Sequence, residues 1–337
     1  MPETDKQAVM KMKLLTKYIV AISISILLTL LALICPGDGA ASEIMKKTIE
    51  HDGRSREYYM HVPSSYHGMG VPLVLVFHGG GGTAERFARY TGFNEISEEN
   101  GFIVVYPQGI NSHWNDGRKS EKFRQQNLEV DDVAFIMELI KRLKKEYFID
   151  DKRIFATGMS NGGFICQRLA IEKSHHFAAV ASVTAQVSEP LVATFKPREK
   201  ISVLIMNGTD DPLVPYGGGE IVLNFPFLAK SQRQSKRGRV ISTDKTIQLW
   251  IEHNRISSPP VIEQLPDVDK NDGSTVERSE WSDRREHVSV VLYKIIGGGH
   301  TYPGGFQYLP KRLIGTTCRD MDASEVIWKF FSKHGKR

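Results

Sequence analysis

Cysteine is nearly missing from this chain: Cys35, Cys166 and Cys318 are the three present among 337 residues. So few exclude a scaffold held together by disulfides. No Cys-x-x-Cys, His-Glu-x-x-His or acidic calcium loop occurs, so the sequence offers no metal site and calls for no cofactor. The adjacent His175 and His176 are a poor chelate, because neighbouring side chains diverge on either a helix or a strand. A strong charge of one sign is also lacking. The formal net charge is +5, and residues 1–41, with four lysines and three acids, account for one unit of it. That balance is too mild for a nucleic-acid partner. With 41% hydrophobic and 25% charged residues the composition is that of a globular protein, and the length suffices for a sizeable core.

Only one long apolar run is present. Lys11, Lys13 and Lys17 precede the stretch from Tyr18 to Ile34, broken only by Ser23, Ser25 and Thr29, and mostly small residues follow from Gly37 to Ala41. This is the order of an export signal, with a cut expected after Gly39-Ala40-Ala41. The run nearly reaches the length of a membrane span, so an uncleaved anchor is the competing expectation. A lipoprotein site at Cys35 is disfavoured by the bulky Ile34 before it. The expectation is therefore an exported chain, secreted or periplasmic, which contacts a membrane only if residues 1–41 are retained. Residues 42–337 are expected to form a single domain. Whether Cys166 and Cys318 then pair is left open by sequence alone.

After the signal, apolar runs suited to buried strands alternate with helical patterns. Strands are expected at Tyr58–Val62, Leu73–Phe77, Phe102–Tyr106, Arg153–Thr157, Ala178–Thr184 and Ile201–Met206, with Val288–Ile296 closing the sheet. Helices are expected at Ala84–Tyr90, after Asp131 and Asp132 as capping residues, at Asn161–Ile171, near Thr243–His253 and at Ala323–His334. The alternation implies α/β architecture, a mostly parallel central sheet with helices on both faces. Asn111–Gln126 is read as a long polar loop above the sheet, and the basic Lys230–Arg239 as a solvated, structureless one.

The chemistry-bearing motif is Gly158-Met159-Ser160-Asn161-Gly162-Gly163 between a strand and a helix. A nucleophilic serine needs a sharp turn that lifts it clear of the sheet, and flanking glycines remove the Cβ atoms that would clash there. The helix behind it aims backbone N–H groups at the reacting centre, Asn161 first. Upstream, His78-Gly79-Gly80-Gly81-Gly82 follows a buried strand, the place from which Gly80 would donate a second N–H to an oxyanion. Gly79, Gly81 and Ala84 also fit a weak dinucleotide fingerprint, which leaves the serine motif unexplained. A proton-relaying set requires an acid and a histidine further along. Asp210-Asp211 follows the strand Ile201–Met206, and since side chains alternate in extended chain only one of the pair can serve. Asp211, before Pro212, is preferred, with Asp210 as the alternative. His300, in the glycine-rich loop after Val288–Ile296, is the base; His253, His287 and His334 fit less well.

These motifs, with Gly208-Thr209-x-Asp211-x-x-Val214-Pro215-Tyr216 and Gly299-His300-Thr301-Tyr302-Pro303-Gly304, resemble the esterase family that contains polyhydroxybutyrate depolymerases and feruloyl esterases. The resemblance implies an α/β-hydrolase fold and a serine carboxylic-ester hydrolase working through an acyl-enzyme, with Ser160 as nucleophile, Asp211 as acid and His300 as base. Its substrate would be a small-molecule or polymeric ester. Glycine stands where many members carry cysteine in the first glycine loop, and no polymer-binding domain is visible in the 337 residues. A soluble, feruloyl-type ester is then at least as good an expectation as insoluble polyester. Trp114, Tyr216 and Tyr302 are candidate aromatic walls for the acyl group. A peptidase or acyltransferase on the same fold is the alternative.

Overall fold

The computed structural model describes residues 44–119, 130–222, 236–283 and 285–336. The apolar N-terminal segment lies outside these residues. Twelve strands are described: β1 Met45–His51, β2 Arg54–His61, β3 Val71–Phe77, β4 Ile103–Pro107, β5 Ile149–Met159, β6 Ala179–Val183, β7 Ser202–Gly208, β8 Gly219–Val222, β9 Lys236–Val240, β10 Val261–Gln264, β11 Thr275–Asp283 and β12 Val288–Ile296. The longer helices are α1 Ala84–Thr91, α2 Phe93–Asn100, α3 Asp132–Glu146, α4 Asn161–Lys173, α5 Thr243–Asn254 and α6 Ala323–Phe331.

Ten strands form one sheet in the order β1-β2-β4-β3-β5-β6-β7-β12-β11-β10. The inner six, β4 to β12, are parallel, and the outer pairs on each side run antiparallel. The sequence explains this division. Strands β4, β6 and β7 are buried at every position, as unbroken apolar runs must be when helices cover both faces. Strand β1 alternates half-buried and exposed residues, the pattern of an edge with one wet face. Successive side chains of β3 then sort into two cores. Leu73, Leu75 and Phe77 meet Ile136, Leu169 and Trp250 from α3, α4 and α5 on one face. Val74 and Val76 meet Phe87, Phe93 and Ile327 from α1, α2 and α6 on the other. Cys166 belongs to the first core and Cys318 to the second, and both are free thiols.

Several expectations change. Val288–Ile296 does not close the sheet; it lies between β7 and β11, with β10 beyond. Strand β11 was hidden by its charged sequence, TVERSEWSD, because a strand near the sheet edge fully buries only Val276 and Ser279. Lys230–Arg239 is not structureless throughout: Lys236–Val240 is strand β9, paired with β8, and buries Arg237 and Val240. Residues 230–235 lie outside the described set, as do 120–126 of the expected Asn111–Gln126 loop. The β1–β2 hairpin has its signal in the sequence. Asp52 and Gly53, with φ of 52° and 66°, form its two-residue turn between His51 and Arg54, the Asp-Gly preference of a tight hairpin.

Asp131 and Asp132 divide the work at the start of α3. Asp131 caps the helix, accepting from the N–H of Ala134 at 2.9 Å. Asp132 turns inward, where one oxygen accepts from Arg56 of β2 at 2.7 Å and the other from the N–H of Asn115 at 2.7 Å. The Arg56 guanidinium also lies 3.8 Å from the Phe135 ring centroid. Burial pushes the Asp132 carboxyl up, and Arg56 opposes it. Removing one partner leaves the other charge stranded in the core. Arg56→Met is expected to lower stability by about 3–5 kcal/mol, read as a shifted midpoint of urea unfolding, whereas the double variant Arg56→Met/Asp132→Leu regains most of the loss.

Candidate active site

Between β5 and α4 the chain reverses on Ser160, whose backbone sits at φ 55°, ψ −121°. A residue with a side chain adopts this region only when its surroundings force it, at a cost of about 1–3 kcal/mol. Those surroundings are backbone. A Cβ on Gly162 would stand 2.0 Å from the Phe77 carbonyl oxygen, and one on Gly158 2.6 Å from the same oxygen. The Ser160 N–H is already used, donating to Val183 O at 2.8 Å. Asn161 therefore supplies the first amide of α4, where the helix has no preceding turn to accept it.

Strands β7 and β12 are parallel neighbours, so the loops leaving their carboxyl ends meet at one edge of the sheet. Close glycine packing sets their separation: a Cβ on Gly208 would fall 2.1 Å from Gly298 O, and one on Gly299 2.2 Å from Ile314 O. The result is a hydrogen bond of 2.7 Å between His300 Nδ1 and Asp211 Oδ2, both side chains buried. Asp211 Oδ1 accepts from the N–H groups of Leu213 and Val214, each at 2.8 Å, which fixes the carboxylate. Asp210 is exposed and takes its bond from Thr209 Oγ1. Asp211, and not its neighbour Asp210, is thus the carboxylate that meets His300. With Nδ1 committed to the carboxylate, Nε2 is left for chemistry. Ser160, His300, Gly80 and Asn161 line one cavity of about 430 Å³.

Two tethers shape the cavity floor. His78 is buried, its Nδ1 2.8 Å from Gly79 O and its Nε2 accepting from the Gly109 N–H at 3.0 Å. Because Gly109 must donate, the proton of the neutral ring sits on Nδ1. Burial lowers His78 to about 4, so the ring is neutral at ordinary pH. The Asn161 side chain forms the second tether. Its oxygen accepts from Trp114 N–H at 2.8 Å, and its amide donates to Trp114 O at 3.1 Å and to Asp116. A Cβ on Gly80 would lie 3.6 Å from Asn161 Cβ, so the backbones of the two expected oxyanion donors run side by side.

Residues 56–193 match the family described as Esterase PHB depolymerase. A curated protein of Nocardia uniformis subsp. tsuyamanensis designated an esterase, NocK, is 30% identical over 282 residues, covering 82% of this chain and 79% of that protein. The chain belongs to the esterase PHB depolymerase family. It is also similar to feruloyl esterase C of Emericella nidulans, at 26% identity over 56% of this chain and 66% of that one. Feruloyl esterase B of Piromyces equi is 24% identical over 74% of this chain, which spans 43% of its length. An acetyl xylan esterase from Aspergillus awamori shares the fold, with a TM-score of 0.50 at 13% identity over 75% of this chain and 92% of that structure. As a serine esterase of this family, the chain is a carboxylic-ester hydrolase on an α/β-hydrolase fold.

The aromatic rings that line the cavity are not Trp114, Tyr216 and Tyr302. Trp114 is buried beneath the cavity, donating from its indole to His78 O at 3.0 Å. Tyr302 is buried with its hydroxyl on Ser324 at 2.8 Å. Tyr216 holds Asp244 at 3.1 Å. None of the three lines the cavity, which instead takes Phe87, Tyr90, Phe306 and Tyr308. Phe87 and Tyr90 were assigned to a helix on their spacing alone. Phe306 and Tyr308 sit in the loop after His300, where Tyr308 also donates to His300 O at 2.8 Å. Asp116, His113, Arg118 and Arg237 were missed because the segments that hold them read as polar loops.

Among the described residues, Asp272, Cys318 and Asp320 are grouped closely enough to suggest a cation site. Their carboxylates are taken by backbone: Asp272 accepts from Ser274 and Arg319 N–H groups, and Asp320 from those of Val268 and Asp269. The glycine run with the dinucleotide spacing packs directly on the serine turn, a Cβ on Gly79 falling 3.7 Å from Ser160 Cβ. Asn161→Ala keeps the helix amide but strands the buried Trp114 N–H. It is expected to cost about 1–3 kcal/mol, seen as a lowered midpoint of urea unfolding.

Proposed function

We propose that this esterase is exported and hydrolyses small soluble esters of feruloyl type, with the aromatic ring in the acyl part, through an acyl-enzyme on Ser160. The observation that carries the catalytic assignment is the buried Asp211–His300 hydrogen bond, whose imidazole lines the same cavity as a serine held at φ 55°. His300 Nε2 takes the Ser160 proton as Oγ attacks the ester carbonyl. Asp211 holds the imidazole tautomer and stabilises the imidazolium that forms. The N–H groups of Gly80 and Asn161 receive the negative oxygen of the tetrahedral intermediate. The alcohol leaves with the proton from His300, and water repeats the sequence to release the acid.

The names of the feruloyl esterase relatives support an aromatic acyl group. So do the rings of Phe87, Tyr90, Phe306 and Tyr308, which offer faces and edges to a conjugated acyl group. The lysines before the apolar run and the small residues after it support export to a secreted or periplasmic location, with tethering to the membrane if the segment is retained.

Ser160→Ala is expected to abolish turnover of methyl ferulate and p-nitrophenyl butyrate while leaving the circular dichroism spectrum unchanged. Asp211→Asn is expected to lower kcat by about 10⁴-fold, as in the best-studied triad, and Asp210→Asn to stay close to the parent enzyme. Equal loss in the two aspartate variants rejects the choice between neighbours, and full activity in Ser160→Ala rejects the nucleophile. Expression of the full chain should yield mature protein outside the cytoplasm whose N-terminal sequence begins at Ser42. Retention of intact chain in the cytoplasm counts against export.

A further inference from the structure

A carboxylate is buried behind Asn161. Asp116 lies two residues beyond Trp114 on the 110–119 loop and is 6% exposed. Its Oδ2 accepts from the Asn161 side-chain amide, from Arg118 Nε at 2.8 Å and from Arg118 Nη2 at 2.7 Å. Its Oδ1 accepts from the Arg118 N–H at 3.1 Å, an aspartate turn closed over Gly117. Gly117 sits at φ 81°, and a Cβ there would stand 2.9 Å from Leu191. The Arg118 guanidinium then lies 4.2 Å from the Phe164 ring centroid. Phe164 donates its N–H to Ser160 O at 2.8 Å, so it belongs to the same first turn of α4 as Asn161. The ion pair therefore grips that turn at two points, Asn161 through the acid and Phe164 through the base.

Burying an ion pair is a poor route to stability, because desolvation offsets most of the attraction. A bare carboxylate here would also repel a negative oxygen forming at the Asn161 N–H. Arg118 removes that objection: bonded together, the two carry no net charge, and what remains is a strong acceptor for Asn161. Bonds to a charged acceptor are roughly twice as strong as neutral ones. Both protons of the Asn161 amide are used, on Trp114 O and on Asp116, and its oxygen takes the Trp114 N–H. A flipped amide would lose all three bonds, so the side chain has a single orientation. Fixing its end fixes the Cα and the N–H in front of it. A misplacement of about 1 Å in a group that meets the transition state can cost about 10²-fold in rate. We propose that Asp116, neutralised by Arg118, is a positioning residue: through the Asn161 side chain it holds the Asn161 N–H on the oxygen that turns negative in the tetrahedral intermediate. This rests on the reading of Asn161 as an oxyanion donor and names what keeps that donor in place.

Two substrates that differ at the atom in question test it: p-nitrophenyl butyrate and its thiono counterpart, in which sulfur replaces the carbonyl oxygen. Sulfur is the weaker hydrogen-bond acceptor, so a well-aimed N–H favours the oxygen ester. The ratio of kcat/KM for the two, each divided by its rate with hydroxide, reads the oxyanion bonds, and for the parent enzyme it should stand well above one. Asp116→Ala is expected to lower kcat for the oxygen ester by about tenfold or more, with KM within about twofold, and to lower the ratio by a similar factor. Asp116→Asn, which keeps an oxygen for the Asn161 amide, should recover the larger part of both. In an Asn161→Ala background the Asp116→Ala change should add little, since the two act as one unit. If Asp116→Ala does not fold because Arg118 is left stranded, Asp116→Ala/Arg118→Met carries the same comparison. A parent ratio near one rejects the oxyanion reading itself, and the proposal with it. A high parent ratio that Asp116→Ala leaves unchanged, whatever happens to kcat, overturns the proposal alone, as does a full further loss in the Asn161→Ala background.

Discussion

Everything at the active centre depends on how closely three pieces of backbone approach one another. The Phe77 carbonyl oxygen lies where a Cβ of either Gly158 or Gly162 would stand. That approach lets β5 turn into α4 beside the end of β3 with Ser160 in a backbone region that side chains otherwise avoid. Strain of this kind persists only if the neighbourhood over-determines it. Here the Ser160 N–H on Val183 O and the tether of Asn161 to the 114–116 loop do so from opposite sides. Strand order is the deeper cause. With β5 between β3 and β6 at the middle of the sheet, the glycine loop, the serine turn and the end of β6 must share one edge.

The same edge explains why distant segments of the chain meet. Asp211 and His300 are 89 positions apart, yet they leave adjacent parallel strands on the same side. Glycine again sets the spacing, at Gly208 and Gly299 rather than beside the serine. The aspartate is fixed by two backbone amides, and the histidine backbone by the Tyr308 hydroxyl. The Asp211–His300 pair is therefore assembled from sheet ends and clamped loops, and the cavity in front of it is walled by side chains from α1 and the loop after His300.

How much of this could be read from the sequence followed from burial. The inner strands and their covering helices were legible because burial on both faces writes an unbroken apolar run, as in Leu73–Phe77 and Ile201–Met206. Strands β10 and β11 were not, since β10 is exposed throughout and β11 fully buries only Val276 and Ser279, which leaves charged residues in the pattern. Ser160, Asp211 and His300 could be found because each motif demands special backbone and leaves glycine or proline beside it. Other residues that line the cavity had no such mark. Arg118 and Arg237 sit in polar stretches whose proximity arises only when the β8–β9 pair folds against the 110–119 loop. Trp114, Tyr216 and Tyr302 illustrate the converse: an aromatic ring near a motif is as readily a packing element, and only its hydrogen-bond partner tells which.

The two free thiols lie in different cores, with the full thickness of the sheet between Cys166 and Cys318. A disulfide requires Cα atoms closer than about 7 Å, so this pair is forbidden by layer geometry whatever the redox potential. The catalytic body consequently owes none of its cohesion to an oxidant. Among the described residues, reduction has no covalent cross-link to remove.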